Sequence, residues 1–114
     1  MAIIQVESTE YVYVGVTGAV PTSGAELAFL PAGSRPQEED WNAATVVDDD
    51  QDTLWLDAQA AGIEGDYYIA LLIGSFGGTG VELAPGDYQV WVRLTDTVER
   101  PVRIAPVALE VMGA

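Results

Sequence analysis

The sequence has no cysteine, no histidine and no lysine among its 114 residues. Without cysteine there is no disulfide or thiolate chemistry, and without histidine the commonest general base and metal ligand are missing. The four cations are all arginines: Arg35, Arg93, Arg100 and Arg103. Against them stand 18 Asp and Glu residues, which give a net charge of −14. This charge argues against nucleic acid and anionic membranes as partners, because both attract basic proteins.

A hydrophobic run long enough to cross a membrane is also missing. Tyr67–Ile73 is strongly apolar, but it has the length of a strand and falls short of the ~20 residues of a spanning helix. Met1–Val6 has neither a basic region nor a small-residue cleavage site, so we expect no signal peptide. The length suits a single domain over residues 1–114, and 49% apolar with 19% charged residues is a globular composition.

Strand signals dominate the chain. Tyr11–Thr17 is rich in β-branched and aromatic residues, Tyr67–Ile73 is apolar on both faces, and Tyr88–Thr95 alternates. Val107–Val111 is the last predicted strand, and Pro106 before it indicates an edge or a bend. About seven short strands at this spacing predict an all-β fold, a two-sheet Ig-like β-sandwich of about seven to nine strands.

Turn and helix signals are fewer. Ala44–Val47 and Leu54–Leu56 flank an acidic turn and predict a hairpin, while only Pro36–Ala44 and Asp57–Ile63 look briefly helical. Leu83–Tyr88 has the form of a tyrosine corner, in which Pro85 and Gly86 make the turn and the Tyr88 hydroxyl bonds back to the loop. The alternative is an ordinary hairpin turn.

An acidic run is the first candidate site. Asp48, Asp50 and Asp52 have the 1-3-5 spacing of a calcium loop, but Thr53 replaces its glycine and Gln59 its bidentate glutamate. The alternative is a solvated hairpin tip. Adjacent aspartates on a turn also make no sugar-binding cleft, so a glycosidase is a remote interpretation.

The glycine-rich run and the remaining residues predict no phosphate-binding or catalytic site. The run at residues 74–80 has no lysine and leads into no predicted helix, so we expect a flexible hairpin loop rather than a phosphate site. No catalytic residue and no cofactor is predicted.

Aromatic and arginine side chains suggest an interaction surface instead. In the strand that begins at Tyr88, alternation assigns Val90 and Val92 to the core face and Trp91 and Arg93 to the outer face. Trp and Arg are enriched at interface hot spots, so Trp91, Arg93, Arg100 and Arg103 are the predicted interface. The alternative is an outer Trp covered by its own loops, with Arg93 stacked on it. Trp41 and Trp55 are expected in the core.

Several phrases of the sequence are similar to a family of small virion structural proteins of tailed bacteriophages that infect high-GC hosts. They are Ser8–Val12, Glu26–Phe29, Asp40–Trp41, Tyr67–Tyr68, Gly86–Asp96 and Pro101–Arg103. The last third of the chain carries the strongest resemblance.

The resemblance implies a non-enzymatic virion component with an Ig-like fold, from the head or head–tail region. Its partners would be other virion proteins, either the major capsid protein or a neck or tail protein, in a symmetric assembly of many copies. Capsid decoration, a neck or tail position, and an Ig-like module that binds carbohydrate or protein on a host surface all remain open.

Overall fold

The computed structural model describes residues 2–5, 9–74, 81, 83–96 and 100–112. Their regular elements are β1 (Ala2–Gln5), β2 (Glu10–Val16), β3 (Ala25–Leu30), a 3-10 turn (Glu38–Asp40), β4 (Asn42–Val47), α1 (Thr53–Ala60), β5 (Tyr67–Ile73), β6 (Gly86–Leu94) and β7 (Val102–Met112). The all-β prediction is confirmed. Across these ranges no helix has the length and apolarity needed to cross a membrane.

The seven strands form one sheet in the order β1-β7-β6-β3-β4-β5-β2. All neighbours are antiparallel except β1 and β7. The sheet bends within β4. The first half of β4, up to Ala44, pairs with β3, and the second half, from Thr45 onward, pairs with β5. This bend brings β2 back towards β7, so the sheet is nearly closed, and the division into two Ig-like sheets stays a prediction.

Alternating side chains fill the inside of this sheet. The inward residues of β6 are Val90, Val92 and Leu94, as the period-two pattern predicts. They meet the inward residues of the other strands in one core, whose largest members include Leu27, Phe29, Tyr67, Ile69 and Leu109. The core therefore lies inside the curved sheet.

Helix α1 covers the outer face of β2, β5 and β4. Ala58 packs there against Tyr13, Tyr68 and Ala70, and the Trp55 ring meets the Tyr68 ring edge-on at 4.9 Å between centroids. This second layer explains why β5 is apolar on both faces. The hairpin predicted from Leu54–Leu56 is wrong, because the side chain of Asp52 accepts the Leu54 amide and caps a helix there.

The tyrosine corner is confirmed. The Tyr88 hydroxyl donates to the Ala84 carbonyl at 2.6 Å, and Gly86 adopts a φ of +152° that other residues rarely reach. Pro106 lies in β7 where its register with β6 shifts, between the pairs Gln89↔Ala108 and Trp91↔Ile104. Of the loop predicted at residues 74–80, all but Gly74 lies outside the described residues.

Candidate interaction surface

Arg93 is the buried member of a charge cluster on the outer face of the sheet. Glu26 on β3 is its register partner across the β3–β6 ladder. The Arg93 Nε donates to Glu26 Oε1 at 2.9 Å and its Nη2 donates to Oε2 at 2.8 Å, which makes a bidentate pair. Arg93 is only 5% exposed, and the ion pair with Glu26 compensates for most of the free-energy cost of burying its charge.

The segment between β3 and β4, residues 31–41, folds over this cluster. Arg93 Nη1 donates to Glu38 Oε1 at 3.0 Å, and the guanidinium carbon lies 4.7 Å from the Trp41 ring centroid. The hydrogen bond and charge of Arg93 hold the pKa of Glu38 below its ordinary value of 4.5. Arg35 from the same segment covers Trp91, with its guanidinium carbon 5.5 Å from the ring centroid. We call residues 31–41 the covering loop.

The expectation that Trp91 and Arg93 are exposed for docking is therefore wrong. Both side chains are on the predicted outer face, but each is only 5% exposed because the covering loop lies over them. The alternative of an outer Trp covered by its own loops is correct in outline. The stacking partners differ, since Arg93 lies on Trp41 and Arg35 lies on Trp91.

The tryptophan positions also differ from expectation. Trp41 and Trp55 were predicted core residues, yet both are half-buried, and Trp91 is the tryptophan with 5% exposure. The sequence analysis did not identify Glu26 and Glu38 as the ion-pair partners of Arg93. A single charge within the apolar Ala25–Leu30 strand was a signal for Glu26, because a buried charge needs an opposite charge nearby.

Arg100 and Arg103, the other two predicted interface residues, are exposed. Within the ranges that the structure describes, neither forms an ion pair. They accompany two exposed apolar residues of β7, Val102 at 45% and Ile104 at 52%. Val102 and Ile104 stand opposite Arg93 and Trp91 in the β6–β7 ladder, so they share the outer face. Arg103 stands opposite Val92 and therefore lies on the inner face. We call Val102 and Ile104, together with the preceding Arg100, the β7 surface.

The acidic run is a helix cap and turn. Asp49 Oδ1 accepts the Gln51 amide at 2.9 Å, and Asp52 caps α1. The described part of the chain contains no group of three or more Asp, Glu, His or Cys residues that could hold a metal ion. The weak calcium candidate made of Asp48, Asp50 and Asp52 is therefore not brought together as a ligand set.

A cleft of about 410 Å³ opens where the sheet fails to close. One wall is β2 at residues 14–17 with the segment at residues 64–65, and the other is β7 at residues 101–105. Glu64 lies on the first wall and Arg103 on the second, while Val92 and Leu94 form the apolar floor. Glu64–Gly65 is pressed against β2, since a Cβ on Gly15 would overlap the Glu64 carbonyl.

Two buried tyrosines have raised pKa values for different reasons. Burial raises the pKa of Tyr13, and so does the 2.7 Å hydrogen bond that its hydroxyl donates to Asp57 on α1. Burial also raises the pKa of Tyr67, with a contribution from Asp96. The buried Tyr67 hydroxyl has no hydrogen-bond partner among the residues that the structure describes. Tyr13 therefore joins α1 to the sheet, whereas Tyr67 fills the core without such a link.

Comparison with protein-family models, with curated proteins and with solved structures gives no significant match.

Proposed function

We propose that this protein is a non-enzymatic structural component of a tailed bacteriophage virion, as a capsid decoration or head-associated protein. The resemblance carried by Gly86–Asp96 and Pro101–Arg103 supports the assignment. The observation that carries the docking mode is the β7 surface, where two exposed apolar side chains occur with an exposed arginine on a chain of net charge −14. The partners would be the major capsid protein or a neck or tail protein.

The charge of the chain explains why such a surface is needed. Many copies at −14 each would repel one another unless something else holds them in place. Arg93 is already neutralised by Glu26 and Glu38, so it contributes little to docking. Arg100 is exposed near Val102 and Ile104, which offer apolar area to a partner. Docking through this surface leaves the acidic run at Asp48–Asp52 facing solvent.

The first test is the number of copies in purified virions, measured by quantitative mass spectrometry. A number proportional to the major capsid protein supports capsid decoration. A small fixed number supports a neck position, and a number that scales with tail length supports a position along the tail. Absence from virions refutes the structural assignment and favours the Ig-like module that binds a host surface.

The second test addresses the docking surface itself. Ile104→Asp places a charge in the centre of the β7 surface, and Thr45→Asp places the same charge on an exposed position of β4. Because both positions are exposed, both variants should fold. We expect Ile104→Asp to abolish incorporation into virions and Thr45→Asp to incorporate normally. Normal incorporation of Ile104→Asp would refute docking through β7.

A further inference from the structure

We propose that the cleft between β2 and β7 accepts an extended, basic segment of another protein, which adds a strand to the open edge of the sheet. This surface is an edge and a cleft, and it is distinct from the outward β7 surface. The proposal does not depend on the virion assignment, since its argument uses only the strand edges, the cleft and the charge of the chain.

The open strand edges are the first part of the argument. β1 pairs with β7 only from Leu109 onward, so the edge of β7 at Val102–Ala105 has no ladder partner among the described strands. On the other side of the cleft, β2 is the last strand in the sheet order and, among the strands that the structure describes, pairs only with β5. Unpaired edges of this kind are templates for strand addition.

The cleft between these edges is the second part. Four residues of open β7 edge span about 13 Å at the usual strand rise, which suits a short extended peptide. Val92 and Leu94 offer an apolar floor for alternate side chains of the guest. Backbone hydrogen bonds from the edge and apolar contacts from the floor are the two components of strand-addition binding.

The net charge of the chain favours a basic segment over a second copy as the occupant of the cleft. A second copy of this chain would bring another −14 to the cleft, whereas a basic segment is attracted to the chain as a whole. Glu64 on the β2 wall offers a carboxylate to a basic side chain, and Arg103 stands on the opposite wall. We therefore assign the cleft to a basic, extended segment with apolar residues at alternate positions.

The test uses a synthetic octapeptide of alternating valine and threonine with arginines at both ends, titrated into the full chain by isothermal calorimetry. Two control peptides carry glutamates instead of the arginines, or N-methyl groups on alternate backbone amides. We expect the arginine peptide to bind at least tenfold more tightly than either control. Hydrogen exchange of the amides at residues 102–105 should slow when it binds.

A pair of protein variants locates the binding. Thr17→Trp fills the mouth of the cleft, whereas Thr45→Trp adds the same side chain to an exposed position of β4 outside it. Binding should be lost in Thr17→Trp and retained in Thr45→Trp.

Four results would overturn the proposal. Absence of binding by the arginine peptide would do so, as would equal binding of the N-methylated or glutamate peptide. Unchanged binding by Thr17→Trp would place the peptide elsewhere. Dimerisation of the chain alone that Thr17→Trp abolishes would assign the cleft to a second copy.

Discussion

Replacing Arg93 tests the central interaction beneath the covering loop. Arg93→Ala leaves the Glu26 carboxylate without its bidentate partner and removes the contact with Trp41. Breaking a buried ion pair by removing one partner costs about 3–5 kcal/mol. The Glu26 side chain is 26% exposed, so water recovers part of its solvation and the lower figure, about 3 kcal/mol, is expected.

The assay is equilibrium unfolding in urea, followed by tryptophan fluorescence. With a slope of about 1.5 kcal/mol per molar urea, a loss of 3 kcal/mol lowers the midpoint by about 2 M. Arg100→Ala is the matched control, because it removes the same charge from an exposed position without an ion pair in the described structure. We expect the control to stay within about 0.5 kcal/mol of the wild type.

Two further variants separate charge from geometry. Arg93→Lys keeps the charge but loses the planar fork that binds both oxygens of Glu26, so it should lie between the wild type and Arg93→Ala. The double variant Arg93→Met with Glu26→Leu leaves neither partner charged, and it should be more stable than Arg93→Ala. A midpoint shift below about 0.5 M for Arg93→Ala, or a double variant that is as unstable as the sum of its single variants, would refute the reasoning.

Four smaller predictions follow from local contacts. Gly15→Ala should lower the stability by about 1–3 kcal/mol in thermal unfolding, because its Cβ overlaps the backbone that crosses β2. In urea unfolding, Asp52→Ala should lose about 1 kcal/mol with the helix cap, while Asp50→Ala, with the same charge change, should not. Tyr88→Phe should lose about 1 kcal/mol in the same assay, and no loss would contradict the corner hydrogen bond. Glu38→Gln should lower the melting temperature at neutral pH. Because the pKa of Glu38 is lowered in the folded protein, its carboxylate contributes its full stabilisation above pH 4.5. This stabilisation disappears as the pH falls through the folded-state pKa, so the melting temperatures of the variant and the wild type should converge in acid.

The strands were predictable from the sequence because period-two alternation survives in this fold. Val90 and Val92 were assigned to the core face and Trp91 to the other, and the structure has both faces as predicted. The corner at Tyr88 was also predictable, because Pro85 and Gly86 restrict the turn locally. Features that depend on a few neighbouring residues can thus be predicted from a single sequence.

The covering loop was not predictable, because its contacts join distant parts of the chain. Arg93 pairs with Glu26, 67 residues away, and with Glu38, 55 residues away. Alternation places Arg93 on the outer face but cannot say that residues 31–41 return to cover that face. The start of helix α1 was mispredicted for a different, local reason. The acidic run that suggested an exposed tip supplies a helix cap at Asp52, so the helix begins at Thr53 rather than at the predicted Asp57.

The burial of Arg93 changes where a partner can bind. With Trp91 and Arg93 covered, the two candidate binding surfaces argued above both belong to β7: the outer face at Val102 and Ile104, and the edge that borders the cleft. A partner that lies flat on the outer face is sensitive to Ile104→Asp and indifferent to Thr17→Trp. A partner that adds a strand shows the opposite pattern, because its affinity comes from the backbone edge and the cleft floor. Comparing these two variants in virion incorporation and in peptide binding therefore distinguishes a failure of the proposed function from a failure of the strand-addition proposal.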